Sequence, residues 1–289
     1  MDIPELFRQG RPVFSFEFFL PKAPQDIAGF LQSVRQLKEL RPSFVTLTYG
    51  AGGSARDKTI ETAGRIQSEV GIETVCHLTC ITHTKAEVSG ILDRLKLLGI
   101  RSLVALRGDT PKDGPVAPAS QRDFAFARDL VAFIKARDRF HLAVAGYPEK
   151  HPEASSPEAD LQNLAAKVQA GGDWVITQLF FDNDDYFDFV RRARQSGISV
   201  PIVPGIMPVT GYAQLKRFTS LCGAKIPPAM AERLEAVQDD PEAVVRYGIE
   251  YATEQCRDLL DRGAPGIHFY TLNRTRSTSE ILARLRRSL

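Results

Sequence analysis

Three observations predict a (β/α)8 (TIM) barrel of the α/β class. Short apolar, β-branched runs recur eight times along the chain. Segments with apolar residues at helical spacing separate them. The 289-residue length suits one such barrel. The candidate strands are 13–19, 44–49, 74–80, 102–107, 141–147, 174–180, 201–206 and 266–271. Between them, Ile27, Phe30, Leu31 and Val34 form one helical stripe, and Ala127, Leu130, Val131 and Ile134 another. A doubly wound open sheet is the alternative, disfavoured because no Gly-x-Gly-x-x-Gly turn follows the first strand. No linker interrupts the alternation, so residues 1–289 are expected to form a single domain.

Two segments exceed a minimal barrel. Residues 110–121 are rich in Pro, Gly and Ala and read as a mobile lid or an ordinary surface loop. About 60 residues separate the seventh and eighth strands, more than one crossover helix needs. The patterns at 234–237 and 241–261 predict at least two extra helices there, with Asp240 as N-cap before Pro241.

Composition narrows the partners. Hydrophobic residues make up 43%, charged residues 25%, and net charge is +2. Neither nucleic acid nor an anionic membrane is expected. No run of about 18 apolar residues occurs, and the first residues lack a basic segment followed by an apolar stretch, so a cytoplasmic protein is expected. Cys76, Cys80, Cys222 and Cys256 fit no zinc spacing. Cys76 and Cys80 would lie about 13 Å apart on one strand, too far for a disulfide, so free thiols are expected.

In a barrel the C-terminal strand ends and the loops after them build the active site. Chemically capable residues gather there. Glu17 stands within Phe14-Ser15-Phe16-Glu17-Phe18-Phe19, where an apolar setting would raise its pKa and suit a general acid. Thr48 and Tyr49 end the second strand. His77 and Thr79 share one face of the third. Arg107, Gly108 and Asp109 end the fourth, Tyr147 the fifth and Gln178 the sixth. Tyr270, Asn273 and Arg274 follow the eighth. The seventh ends in Pro204-Gly205-Ile206-Met207-Pro208, which shapes backbone more than it supplies chemistry. Each residue alone also fits a plainer role in packing, capping or a salt bridge; the joint pattern is harder to assign to packing.

Ser155 and Glu158 stand at capping-box spacing. In the helix they begin, Leu161, Leu164 and Val168 make the core face. Asp160, Asn163 and Lys167 share a different face, at i, i+3 and i+7. An acceptor, an amide and a cation suit a ribityl chain and a diphosphate, although spacing alone describes a solvated face equally well. His151, in His-Pro-Glu, lacks a second His or Cys at useful spacing, so no metal is expected. Neither a nucleophile elbow nor a Walker loop occurs.

The ordered motifs Ser15-Phe16-Glu17-Phe18-Phe19, Thr48-Tyr49-Gly50-Ala51, His77-Leu78-Thr79-Cys80, Leu106-Arg107-Gly108-Asp109, Tyr147-Pro148-Glu149, His151-Pro152-Glu153-Ala154, Thr177-Gln178 and Phe269-Tyr270-Thr271-Leu272-Asn273-Arg274 resemble the methylenetetrahydrofolate reductase family in its short bacterial form. The resemblance runs from about Val13 to Arg274. It implies a barrel holding FAD at the strand ends. It implies reduction of 5,10-methylenetetrahydrofolate to 5-methyltetrahydrofolate by NADH or NADPH through the flavin in a ping-pong sequence, supplying methyl groups for methionine synthesis.

By the same resemblance Glu17 is the acid that protonates N10, and Asp109 bonds the pterin and tunes the flavin. Gln178, Gln214, Phe218 and Arg274 bind substrate, and Thr48 meets the nicotinamide donor. Tyr49, Ala51, His77, Arg107, Gly108, Tyr147, His151, Asp160, Asn163 and Lys167 hold FAD. NADH is the expected donor, and a homodimer or homotetramer the expected assembly. Three positions depart from the family pattern: Leu20 where a second proline is usual, Gly146 for alanine, expected to leave more room near the flavin, and Ala166 where some members carry arginine. A flavin-free folate C1 enzyme and a non-catalytic folate-binding barrel are the alternatives. The Asp160, Asn163 and Lys167 face argues against the first and Glu17 against the second.

Overall fold

The computed structural model describes residues 2–21, 23–49, 53–110 and 117–287. Its strands are β1 (Val13–Phe18), β2 (Phe44–Leu47), β3 (Thr74–Thr79), β4 (Ser102–Leu106), β5 (His141–Gly146), β6 (Trp174–Thr177), β7 (Ile202–Val203), β8 (Gly205–Ile206) and β9 (Gly266–Tyr270). They form one sheet in the order β7-β6-β5-β4-β3-β2-β1-β9-β8, each pair parallel.

The expected seventh strand, 201–206, is broken. Its first half, β7, pairs with β6, and its second half, β8, pairs with β9. Pro204 stands between them and has no N–H to give a ladder. Its carbonyl still accepts from His268 N at 2.9 Å. The eight expected strands therefore make a nearly closed barrel in which the chain itself spans the gap at Pro204.

Period-two alternation sorts each strand into two faces. Phe14, Phe16 and Phe18 point outward into the core shared with the helices, beside Phe30, Leu31 and Val34 of α2 (Ile27–Lys38). Val13, Val75, Val104, Ala143, Trp174 and Val203 fill the lower barrel interior. The short α1 (Ile3–Leu6), capped by the Asp2 carboxylate, adds Ile3 to that interior cluster. Above the cluster the same parity continues into polar residues, which places the site at the strand ends.

The outer layer comprises α2, α3 (Gly53–Arg65), α4 (Lys85–Leu97), α5 (Ala127–Arg137), α6 (Pro157–Gln169) and α7 (Asn183–Gln195). The long segment after β8 holds α8 (Tyr212–Cys222), α9 (Pro228–Ala236) and α10 (Pro241–Asp261), ahead of β9 and α11 (Thr275–Leu285). Asp240 caps α10 as expected, accepting from Glu242 N and Ala243 N at 3.0 Å each. In α6 the cap is Ser156, not Ser155: its Oγ accepts from Ala159 N at 3.1 Å. Pro157 takes the first helical position, which leaves the residue just before it as N-cap.

Gly146 does not leave room at the mouth. A Cβ there would point into the helical layer, 2.8 Å from Val175 Cγ1 and 2.9 Å from Phe189 Cζ. Glycine at this position relieves core packing behind β5.

Candidate active site

A cavity of about 480 Å³ opens at the C-terminal end of the barrel, lined by Glu17, Thr48, His77, Asp109, Gln178 and Phe218 among others. A lobe of about 350 Å³ continues from it past Tyr49, Thr79, Arg107, Gly108 and Lys167. A shallower lobe of about 180 Å³ reaches Asp160 and Asn163. Tyr147 and His151 line all three. The strand-end residues expected from sequence therefore meet around one mouth, and the α6 face forms its wall.

Glu17 lies at the floor, 7% exposed. Its neighbours are not the phenylalanines. Thr46 Oγ1 donates to Glu17 Oε2 at 3.3 Å. His77 Nε2 lies 3.3 Å from the same oxygen, and His268 Nε2 lies 3.4 Å from it. His268 is fully buried and its Nδ1 is 2.8 Å from Ser15 Oγ. Burial pushes the Glu17 carboxyl up, but the charge and hydrogen bonding of His77 and His268 outweigh it and hold the group at about 2. This reverses the expected upward shift. Strand alternation turns Phe14, Phe16 and Phe18 to the opposite face, and of the run only Phe19 lines the cavity with Glu17.

Gly108 takes a left-handed φ of 89°, and a Cβ there would come within 2.9 Å of Thr79 Cβ. That turn delivers Asp109, an exposed carboxylate, to the rim shared by the two larger lobes. Arg107 is held by Glu153 in a two-point pair, at 2.6 and 2.8 Å. Glu153 N in turn donates to His151 Nδ1 at 3.0 Å, and His151 N donates to Asp160 Oδ2 at 2.9 Å. The His151 ring sits edge-on to Tyr147, with centroids 4.6 Å apart. Burial lowers the His151 pKa and pushes the Tyr147 phenol up to about 12. Tyr49 Oη is 3.2 Å from Nε2 of the buried His83.

Lys167 is the most telling wall residue. Its Nζ donates to the Ala145 carbonyl at 2.5 Å and forms no ion pair among the described residues. Burial pulls the ammonium down to about 8, with Asp160 offsetting part of that. A half-buried cation with no paired carboxylate among the described residues, facing a lobe it shares with Arg107, suits an anionic group such as a diphosphate. The donor and acceptor set on this wall fits a flavin dinucleotide.

Several expected residues stand elsewhere. The Gln214 and Arg274 side chains are not among those lining the lobes; Gln214 Oε1 accepts from Thr210 Oγ1 at 3.1 Å, and Arg274 is exposed. Ala51 and residues 111–116 of the candidate lid lie outside the described residues. Residues not singled out from sequence also contribute: His268 beneath Glu17, and Phe126 and Ala127 at the outer lobe. His268 carried a usable signal, because it stands two residues before Tyr270 on the same strand face.

The fold and this mouth define a barrel protein with a buried carboxylate–imidazole cluster beneath an anion-receptive wall. A family model described as methylenetetrahydrofolate reductase matches residues 2–286. The chain is 42% identical to a probable methylenetetrahydrofolate reductase (NADH) of Oryza sativa subsp. japonica, over 98% of the chain and 50% of that protein. It is 41% identical to the 5,10-methylenetetrahydrofolate reductase of Escherichia coli K12, over 92% of the chain and 88% of that protein. The chain spans about half the length of the plant relatives it matches.

Among solved structures, a Clostridium thermocellum protein described as binding two copies of 5-methyl-5,6,7,8-tetrahydrofolic acid shares the fold, with a TM-score of 0.63 and 13% identity over 98% of this chain and 97% of that one. A dihydropteroate synthase of Xanthomonas albilineans does so at a TM-score of 0.55 and 12% identity, over 96% and 93%. The chain belongs to the methylenetetrahydrofolate reductase family.

Proposed function

We propose that this chain reduces 5,10-methylenetetrahydrofolate to 5-methyltetrahydrofolate with a reduced nicotinamide as electron source and FAD as bound cofactor. The observation that carries the reading is Glu17, buried at the floor of the mouth between His77 and His268. FAD, when bound, supplies hydride transfer between the two substrates. Lys167, Arg107, Asn163 and the His151 turn would hold it along the α6 wall.

The chain's own groups handle the proton. Opening the methylene bridge requires a proton on the departing N10. A carboxylate held ionised at about 2 is a poor resting acid by itself. Glu17 and the two imidazoles, whose Nε2 atoms lie 3.3 and 3.4 Å from its Oε2, form a connected set through which a proton reaches N10 by way of the carboxylate. Asp109, on the rim above, offers acceptor oxygens to the amino-pyrimidine edge of a pterin and stabilises the developing cation. Gln178, whose Oε1 accepts from Leu179 N at 2.9 Å, presents its amide to the same lobe.

The experiment that tests this is stopped-flow spectroscopy of the two half-reactions in Glu17→Gln. Flavin reduction by NADH should persist, while reoxidation by the methylene folate should be lost. Equal loss of both would remove the acid role, and a protein that neither binds nor needs FAD would remove the whole reading. We favour NADH as donor, the nucleotide named for the plant relatives; the ratio of kcat/KM for NADH and NADPH decides it.

A further inference from the structure

We propose that Asn273 is the positioning residue for the Glu17 acid, through a side-chain clamp that extends the β1·β9 pairing into the mouth. The proposal rests on the folate-reductase reading above. Backbone pairing between β1 and β9 stops at Glu17 opposite Tyr270. Just beyond it, Leu272 and Asn273 both adopt left-handed backbone, with φ of 52° and 59°. That conformation is uncommon for any residue but glycine, and consecutive examples next to a site point to a local demand.

The demand is visible two residues past Glu17. Asn273 Oδ1 accepts from Phe19 N at 2.9 Å, and Asn273 Nδ2 donates to Phe19 O at 2.7 Å. One amide thus satisfies both main-chain groups of Phe19, as a neighbouring strand would. Thr271 Oγ1 donates to Glu17 O at 2.6 Å, and Thr271 N reaches the same oxygen at 3.3 Å. Asn273 N donates to Thr271 Oγ1 at 3.2 Å, tying the two anchors together.

On the other side, among the described residues, β1 keeps only the bond from Thr48 N to Phe18 O, at 2.9 Å, beyond the ladder. Glu17 is thus the last residue of β1 in the β9 ladder, with Thr271 on its carbonyl, and Phe19, beyond the ladder, is located from the β9 side by the Asn273 side chain. Phe19 and Leu272 both line the larger lobe, so the clamp also sets the wall above the acid. Loss of the clamp frees Phe19, the chain just after Glu17 and the wall above it, which loosens the fit between the acid and the reacting nitrogen.

The test uses the holoenzyme and two variants. Asn273→Gly removes the amide but tolerates the left-handed backbone, so it reads the clamp without added strain. Reoxidation of the reduced flavin by saturating methylene folate should slow roughly 10- to 100-fold in this variant, the scale expected of a misplaced acid. Flavin reduction by NADH and the FAD dissociation constant should each stay within about twofold of wild type. Hydrogen exchange at the Phe19 amide should accelerate about tenfold or more.

Asn273→Asp keeps an acceptor for Phe19 N but sets an oxygen against Phe19 O, and should fall between the two. It also serves as the second variant if Asn273→Gly does not fold. Equal slowing of both half-reactions, or unchanged folate reoxidation with accelerated Phe19 exchange, overturns the proposal. A wild-type holoenzyme whose reduced flavin the folate does not reoxidise overturns the functional reading instead, and this proposal with it.

Discussion

Lys167→Met should move stability and cofactor retention in opposite directions. The wild-type ammonium is pulled from 10.5 to about 8 by burial, which corresponds to about 3 kcal/mol of penalty on its charged form. Methionine retains most of the aliphatic stem and removes the charge. It also leaves the Ala145 carbonyl without its donor, at a cost of about 1 kcal/mol. The net expectation for flavin-free protein at neutral pH is a gain of about 2 kcal/mol, or roughly 3 °C in Tm for a domain of this size.

The pH dependence carries a sign. A lysine whose folded pKa is depressed costs most where both states are charged, below about 8. From there to 10.5 the folded state releases its proton first, so wild-type stability rises toward that of Lys167→Met and the gap closes. For FAD the direction is opposite. Losing one charged hydrogen bond to a diphosphate weakens binding by about 1.5–3 kcal/mol, about tenfold or more in Kd. Urea unfolding across pH 7–10.5 and titration of flavin-free protein with FAD measure both effects. A variant that is less stable than wild type at pH 7 while binding FAD equally well would refute the reasoning.

Other outcomes follow from the same geometry. Glu17 is held at about 2 against an ordinary 4.5, so its favourable contribution stands above pH 4.5 and fades as pH falls toward 2; the stability difference between wild type and Glu17→Gln in urea should narrow over that window. Gly146→Ala should cost about 1–3 kcal/mol in thermal unfolding through contact with Val175 and Phe189, with FAD affinity unchanged because the added methyl faces the helices. Asp240→Ala should cost about 1 kcal/mol by removing the α10 cap, with no effect on either half-reaction.

Much of the fold was legible because strand residues carry period two and helices their own spacing. The same parity that fills the barrel with Val13, Val75 and Trp174 carries Glu17, His77 and Gln178 into one mouth. Reading the Phe run as the setting of Glu17 ignored that parity. The break at Pro204 was signalled by a proline inside a strand pattern, as Ser156 was by Pro157. What stayed hidden was nonlocal. His268 reaches Glu17 across 251 residues, and Asn273 reaches Phe19 across 254. Partners so distant follow from barrel closure, which no local pattern encodes. Lys167 read as one of a polar stripe; only its depth distinguishes it from a solvated lysine.

The gap at Pro204 changes how the mouth should be probed. Backbone ladders run around the rest of the barrel; at this seam the chain itself carries the ring through Pro204, and side-chain bonds reinforce it. Gly205 N donates to Thr177 Oγ1 at 2.9 Å, and Tyr270 Oη donates to Thr177 O at 2.6 Å. Thr177 and Tyr270 act as rivets beside that covalent link. Thr177 precedes the candidate substrate contact Gln178 and Tyr270 lines the cavity, so a substitution at either would reach the mouth through the spread of the ring.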